Sequence, residues 1–166
     1  MSKATMSIFR AKSAPEMTGE DGHFEAPPPG TFDGWAAMFE AGLSDGTVCK
    51  KLFDLPGFSL VYNWFKPHFP LPLHSHGQDC LYYIVGGALE LGTEKLGPGD
   101  GFFVPADSPY SYKIGAEGAE VLEFRHSGRI STKSYAAAQT YWDKVVGSIV
   151  ANRESWKTLP KPGPLA

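Results

Sequence analysis

Between residues 47 and 126 the chain is cut at short intervals by glycine and proline, and this punctuation limits what it can become. Leu55-Pro56-Gly57, the Pro-rich run 66–73, Gly86-Gly87, Gly92-Thr93 and the cluster Gly97-Pro98-Gly99-Asp100-Gly101 leave no room for a long helix. Proline removes an amide donor and fixes φ, while glycine weakens both helices and strands, so the intervening runs must be short. Those runs lie at 47–53, 58–65, 81–85, 88–91, 94–96, 102–105, 109–114 and 120–124, and the first two are rich in β-branched and aromatic residues. Short strands with turn residues between them predict an all-β sandwich or small barrel.

The flanks read differently. Residues 1–30 end in Ala26-Pro27-Pro28-Pro29-Gly30 and show no apolar period, which predicts an extended, flexible N-terminal arm. Phe32, Trp35, Ala36, Met38 and Phe39 fall at the spacing of a short helix leading into a barrel unit over 31–130. In the final section, 131–166, Ser131 or Thr132 is a candidate cap. Tyr135, Ala138, Trp142, Val145, Val146 and Ile149 share one helical face, so a helix is expected over 134–153. Its apolar stripe must cover either the outside of the barrel or a partner subunit.

Composition removes several classes of function. With 15 Lys and Arg against 18 Asp and Glu the chain carries no basic excess, so no nucleic-acid partner is expected. No run approaches the length of a membrane-crossing helix, and the N-terminal residues lack a continuous apolar signal segment. Two cysteines, Cys49 and Cys80, make no disulfide framework, and a cytoplasmic location is the expectation. The Gly97–Gly101 cluster lacks the Lys-Ser/Thr of a phosphate loop, and no serine stands in a nucleophile elbow.

The chemistry-bearing stretch is His74-Ser75-His76. Histidines two residues apart in an extended segment project to one face, so both imidazoles can reach one cation inside a barrel. Neutral imidazole is the commonest metal ligand. The surrounding residues resemble the cupin superfamily. Its first motif runs Gly, five residues, His-x-His, three or four residues, Glu, six residues, Gly, and His74, His76 and Gly87 stand in register with it. Its second motif runs Gly, five residues, Pro-x-Gly, two residues, His, three residues, Asn, and Gly99 and Pro105 match. Five positions depart: His68 and Asp107 stand where the motifs have glycine, Cys80 for the glutamate, Tyr110 for the second-motif histidine and Ile114 for the asparagine.

The resemblance covers residues 47–126 and implies an antiparallel jelly-roll barrel of six to eight strands. It also implies a divalent metal (Fe, Zn, Ni or Mn) held by His74 and His76, with a third ligand from Cys80, Asp79 or His126. Cys80 has the parity of the two histidines, with a small buried hydrophobe as the alternative. His126 ends a strand whose Leu122 and Phe124 are expected to face inward, with a hydrogen-bonded rim residue as the alternative. Tyr82, Tyr110, Tyr112 and Phe124 are expected to line a pocket for a small organic ligand. His23 and His68 read as surface residues. Oxygenase, isomerase, lyase and decarboxylase chemistry all fall within the family, and a homodimer is expected because such barrels often pair. The competing reading is a metal-free small-molecule-binding barrel with a regulatory or structural role.

Overall fold

The computed structural model describes residues 6–18, 21–27, 32–126, 130–135 and 137–166. The elements in chain order are β1 (Gly22–Phe24), α1 (Gly34–Ala41), β2 (Thr47–Leu55), β3 (Phe58–Phe65), β4 (His74–Ser75), β5 (Cys80–Leu91), β6 (Glu94–Leu96), β7 (Gly101–Val104), β8 (Lys113–Arg125), β9 (Ile130–Ser134) and α2 (Gln139–Thr158). One sheet has the order β2-β3-β8-β5-β6 with β7 also paired to β5, and a smaller one has the order β1-β9-β4. The antiparallel barrel that the cupin resemblance implies is present. All pairs are antiparallel except β1 with β9, which run parallel.

The central strand β3 is buried along nearly its whole length, because the sheet is covered on both sides. Asn63 and Phe65 face the interior, while Leu60, Tyr62 and Trp64 join Leu52 and Ala166 in a second apolar cluster on the outer side. Ala11, Ala14, Leu159 and Leu165 pack against that outer cluster, so the two ends of the chain together shield the sheet from water. Lys50 Nζ donates to the Leu165 carbonyl at 3.1 Å and pins the C-terminal tail there.

The described part of the N-terminal segment therefore departs from a free arm. Glu16 bridges to Lys50, β1 pairs with β9, and Asp21 accepts from Lys51 Nζ at 2.7 Å. Proline clusters exclude regular structure locally, but they do not prevent extended chain from docking on a sheet.

Three boundaries also moved. The runs 81–85 and 88–91 form one strand, β5, with register shifts at Ile84/Gly86 and Gly87/Leu89. The glycine pair marks a bulge rather than a turn. Gly87 has φ +65°, and a Cβ there would lie 2.2 Å from the Gly118 carbonyl oxygen, so only glycine fits. Residues 109–112 are loop apart from a bridge between Tyr110 and His74, and β8 begins at Lys113. Two of the substituted motif positions, His68 and Asp107, keep left-handed backbone at φ 60° where the family has glycine. The backbone requirement survived the loss of the residue that meets it most cheaply.

Helix α2 lies five residues further along than predicted (139 against 134, 158 against 153), because residues 130–134 were taken into β9. Trp142, Ile149 and Trp156 recur every two turns on its buried face and join the main core with Met38, Leu43 and Phe69. The stripe thus packs on the chain's own α1 and on the segments around Leu43 and Phe69. Trp156 Nε1 donates to the Pro67 carbonyl at 2.8 Å, and Arg153 Nε donates to Asp45 at 2.6 Å.

Candidate functional site: a polar pair of histidines on the wall of the barrel cavity

A cavity of about 420 Å³ lies inside the barrel, with His74, His76, Tyr110, Tyr112, Glu123 and Arg125 on its wall. That volume is in the range of drug-sized ligand sites. Phe24, Trp35, Phe39, Phe65 and Phe69 supply apolar surface to the same cavity.

β4 carries His74, pairing with Ser134 of β9 and exchanging two backbone bonds with Tyr110, at 3.1 and 2.9 Å. Both histidines are buried, with ring centroids 5.0 Å apart, so the expected juxtaposition of the imidazoles is present. Their protonation is set by neighbouring carbonyls. His74 Nδ1 lies 2.9 Å from the Pro72 oxygen and His76 Nδ1 lies 2.6 Å from the Ser131 oxygen. A carbonyl only accepts, so each Nδ1 holds the hydrogen and each Nε2 carries the lone pair.

Direction then propagates from His74. Its Nε2 accepts from the Tyr110 hydroxyl at 3.0 Å, and Tyr110 in turn accepts from the Tyr82 hydroxyl in a short contact. Tyr82, stacked on Phe102 at 4.6 Å, is fully buried behind the cavity wall, not on it. Burial raises both phenols far above their ordinary pKa, so the chain holds neutral hydroxyls. Among the described residues nothing comparable occupies His76 Nε2.

Burial also lowers both imidazoles to about 4, helped at His74 by His76 and at His76 by the Arg125 charge. A histidine depressed in the folded state is protonated first in the unfolded chain. Each ring therefore contributes stability that is complete above the ordinary imidazole value of 6.5 and is lost as pH falls toward 4. Urea unfolding should show each ring contributing roughly 2 kcal/mol less at about pH 5 than at about pH 7. His76→Gln should flatten that dependence by about half, and a flat wild-type profile would mean the rings are not buried neutral.

Strand β8 turns the other way from the expected alternation. In its C-terminal half Val121, Glu123 and Arg125 are the buried residues, while Phe124 packs against Phe58 on the outer side at 6.4 Å and His126 is exposed. Phe124 and His126 are therefore not part of the site. Both sides of this sheet are covered, so apolar residues on β8 do not mark the inner face. Charge is the misleading signal here, since Arg125 Nη2 and Glu123 Oε2 are paired in a tight contact and both are buried. Burial alone would make the guanidinium easier to deprotonate, but the adjacent carboxylate holds its pKa above the ordinary value. Residue spacing pointed to neither Glu123 nor Arg125. Two charges two residues apart in a strand are the one hint that they shared a face.

No family model matches the chain, and no curated protein matches it. Solved structures do. The polyketide cyclase RemF from Streptomyces resistomycificus superposes with a TM-score of 0.57 at 18% identity, over 87% of this chain and 99% of RemF. An RmlC-like cupin from Shewanella frigidimarina gives 0.46 at 19% identity, over 58% of this chain and 82% of its own. KdgF from a Halomonas species gives 0.43 at 24%, covering 48% and 79%. The chain has a cupin fold.

Within that cupin barrel the residues do not complete the expected metal site. A protein-held divalent ion of the Fe, Zn, Ni or Mn type ordinarily takes at least three side-chain donors. Among the described residues no group of three His, Cys, Asp or Glu is placed to hold one. Cys80 is buried but does not line the cavity, and burial with the nearby Glu123 charge pushes its thiol up to about 12. It stays a protonated core residue, the outcome usual for a free cysteine. Asp79 Oδ1 accepts from the Ala106 amide at 2.8 Å, which commits it to the neighbouring loop. Tyr110, at the place of a motif histidine, directs its hydroxyl to His74 instead of leaving that nitrogen bare. His23 and His68 are exposed. No described helix is long and apolar enough to cross a membrane.

Proposed function

We propose that this cupin binds a small organic molecule in its barrel and moves a proton on it with His76, without a resident metal. The observation that carries this is the bare Nε2 of His76, a neutral imidazole on the cavity wall whose other nitrogen is anchored on Ser131. That ring takes a proton from the ligand and returns it at a second ligand atom, so the net change is an isomerisation or cyclisation that consumes no co-reactant. The Ser131 carbonyl stabilises the imidazolium that forms, and the Tyr82–Tyr110–His74 chain holds the adjoining wall rigid. RemF, which superposes over 87% of this chain, is a polyketide cyclase.

The test uses an enolisable aryl ketone, tetralone, in deuterated buffer. Wild-type protein should accelerate deuterium uptake beside the carbonyl, read by NMR, and His76→Gln should lower the catalysed rate by about a hundredfold. Elemental analysis of the same preparation should find far less than one metal ion per chain. Near-stoichiometric metal that vanishes in both His74→Ala and His76→Ala would overturn this reading. It would favour the second one, a two-imidazole divalent site completed by oxygens of the ligand. The observation behind that second reading is the anchoring of both Nδ1 atoms on carbonyls, the usual arrangement of metal-binding histidines.

A further inference from the structure

Buried polar atoms that lack partners concentrate on this cavity. Arg125 Nε and Nη1, Trp35 Nε1 and Thr47 Oγ1 have no hydrogen-bond partner among the described residues, and all three residues line the cavity. Leaving a buried charged donor unpaired is costly, so such groups in a native site commonly await a ligand. Three of these four atoms can only donate. The guanidinium is almost fully enclosed and spends Nη2 on Glu123, which leaves its positive charge only partly answered by hydrogen bonds. His76 Nε2 is an acceptor on the same wall.

From this pattern we infer that the cavity receives an organic anion: an aromatic hydroxy acid whose carboxylate pairs with Arg125. Trp35 Nε1 offers a further donor in the cavity lining, and the hydroxyl of the ligand donates to His76. The ring system lies against Phe65, Phe69 and Phe39, which present apolar surface but no charge. A neutral amide of the same shape offers one carbonyl acceptor in place of two carboxylate oxygens and leaves the guanidinium charge unmatched. The inference rests on the small-molecule reading above and names the chemical class that the same cavity selects.

Isothermal titration of the wild-type chain with a hydroxynaphthoate and with its carboxamide separates charge from shape. The carboxylate should bind about tenfold or more tightly than the amide. That preference should fall to near parity in the double variant Glu123→Leu/Arg125→Met, which removes both charges and strands neither. Equal binding of the two probes by wild-type protein would overturn the anion receptor while leaving the small-molecule cavity standing. A preference undiminished in the folded double variant would overturn the assignment to Arg125, and binding of neither probe would overturn both readings. The wild-type comparison decides the charge preference even if the double variant does not fold.

Discussion

Trp156→Ala is expected to remove about 3–5 kcal/mol of folding free energy, measured by urea unfolding at neutral pH. The indole is fully buried, faces the Phe69 ring at 6.2 Å and anchors α2 by donating to Pro67. Its truncation leaves a void that cannot collapse, because Gly46 beneath it has no side chain to fill the space. It also strands the Pro67 carbonyl. A single domain is stable by roughly 5–15 kcal/mol, so the variant should melt near working temperature. Val150→Ala, on the exposed face of the same helix, is the control and should shift stability by less than about 0.5 kcal/mol. Similar losses for the two variants would mean that α2 does not pack as described.

Arg125→Met is expected to cost about 3–5 kcal/mol, because it leaves the Glu123 carboxylate buried without its partner. Glu123→Leu alone should cost a comparable amount for the complementary reason. The double variant Glu123→Leu/Arg125→Met should recover most of the loss, since removing a buried pair together also removes its desolvation penalty. Such non-additivity is what a double-mutant cycle reads. If the single losses simply add in the double variant, the two side chains are not coupled in the cavity wall. Together with the ligand titration, this would separate a charge kept for stability from one kept for recognition. A double variant that is stable but indifferent to ligand charge is the signature of a binding role.

The parts of this architecture that were legible in sequence are those fixed by neighbours along the chain. Gly57, Gly92 and Gly99 terminate strands wherever they stand, and the Trp142, Val145, Val146 and Ile149 spacing describes one helical face in any context, while Trp156 lies beyond the helix end expected from sequence. The helix boundary was misplaced because residues 130–134 are equally acceptable as strand, and pairing with β1 and β4 decided the matter. The site divides in the same way. His74 and His76 share a face by the period of an extended chain, and they do so in the structure. Phe124 and His126 were misassigned because alternation gives a period without a phase. On β8 the phase was set by Glu123 and Arg125 pairing inside while the chain termini covered the outside. Cys80 had the right parity but not the right depth, since a residue two positions along, Tyr82, fills the space between its strand and Tyr110.

The amino-acid order alone thus determined a turn-punctuated barrel and one imidazole pair, since backbone conformation and side-chain parity depend on residues a few positions apart. Tertiary packing decided that Tyr110 takes the His74 nitrogen, that Glu123 and Arg125 face the cavity, and that the two ends of the chain close the outer sheet. Those outcomes depend on contacts between segments far apart in the chain, such as Lys50 with Leu165, which no local periodicity encodes.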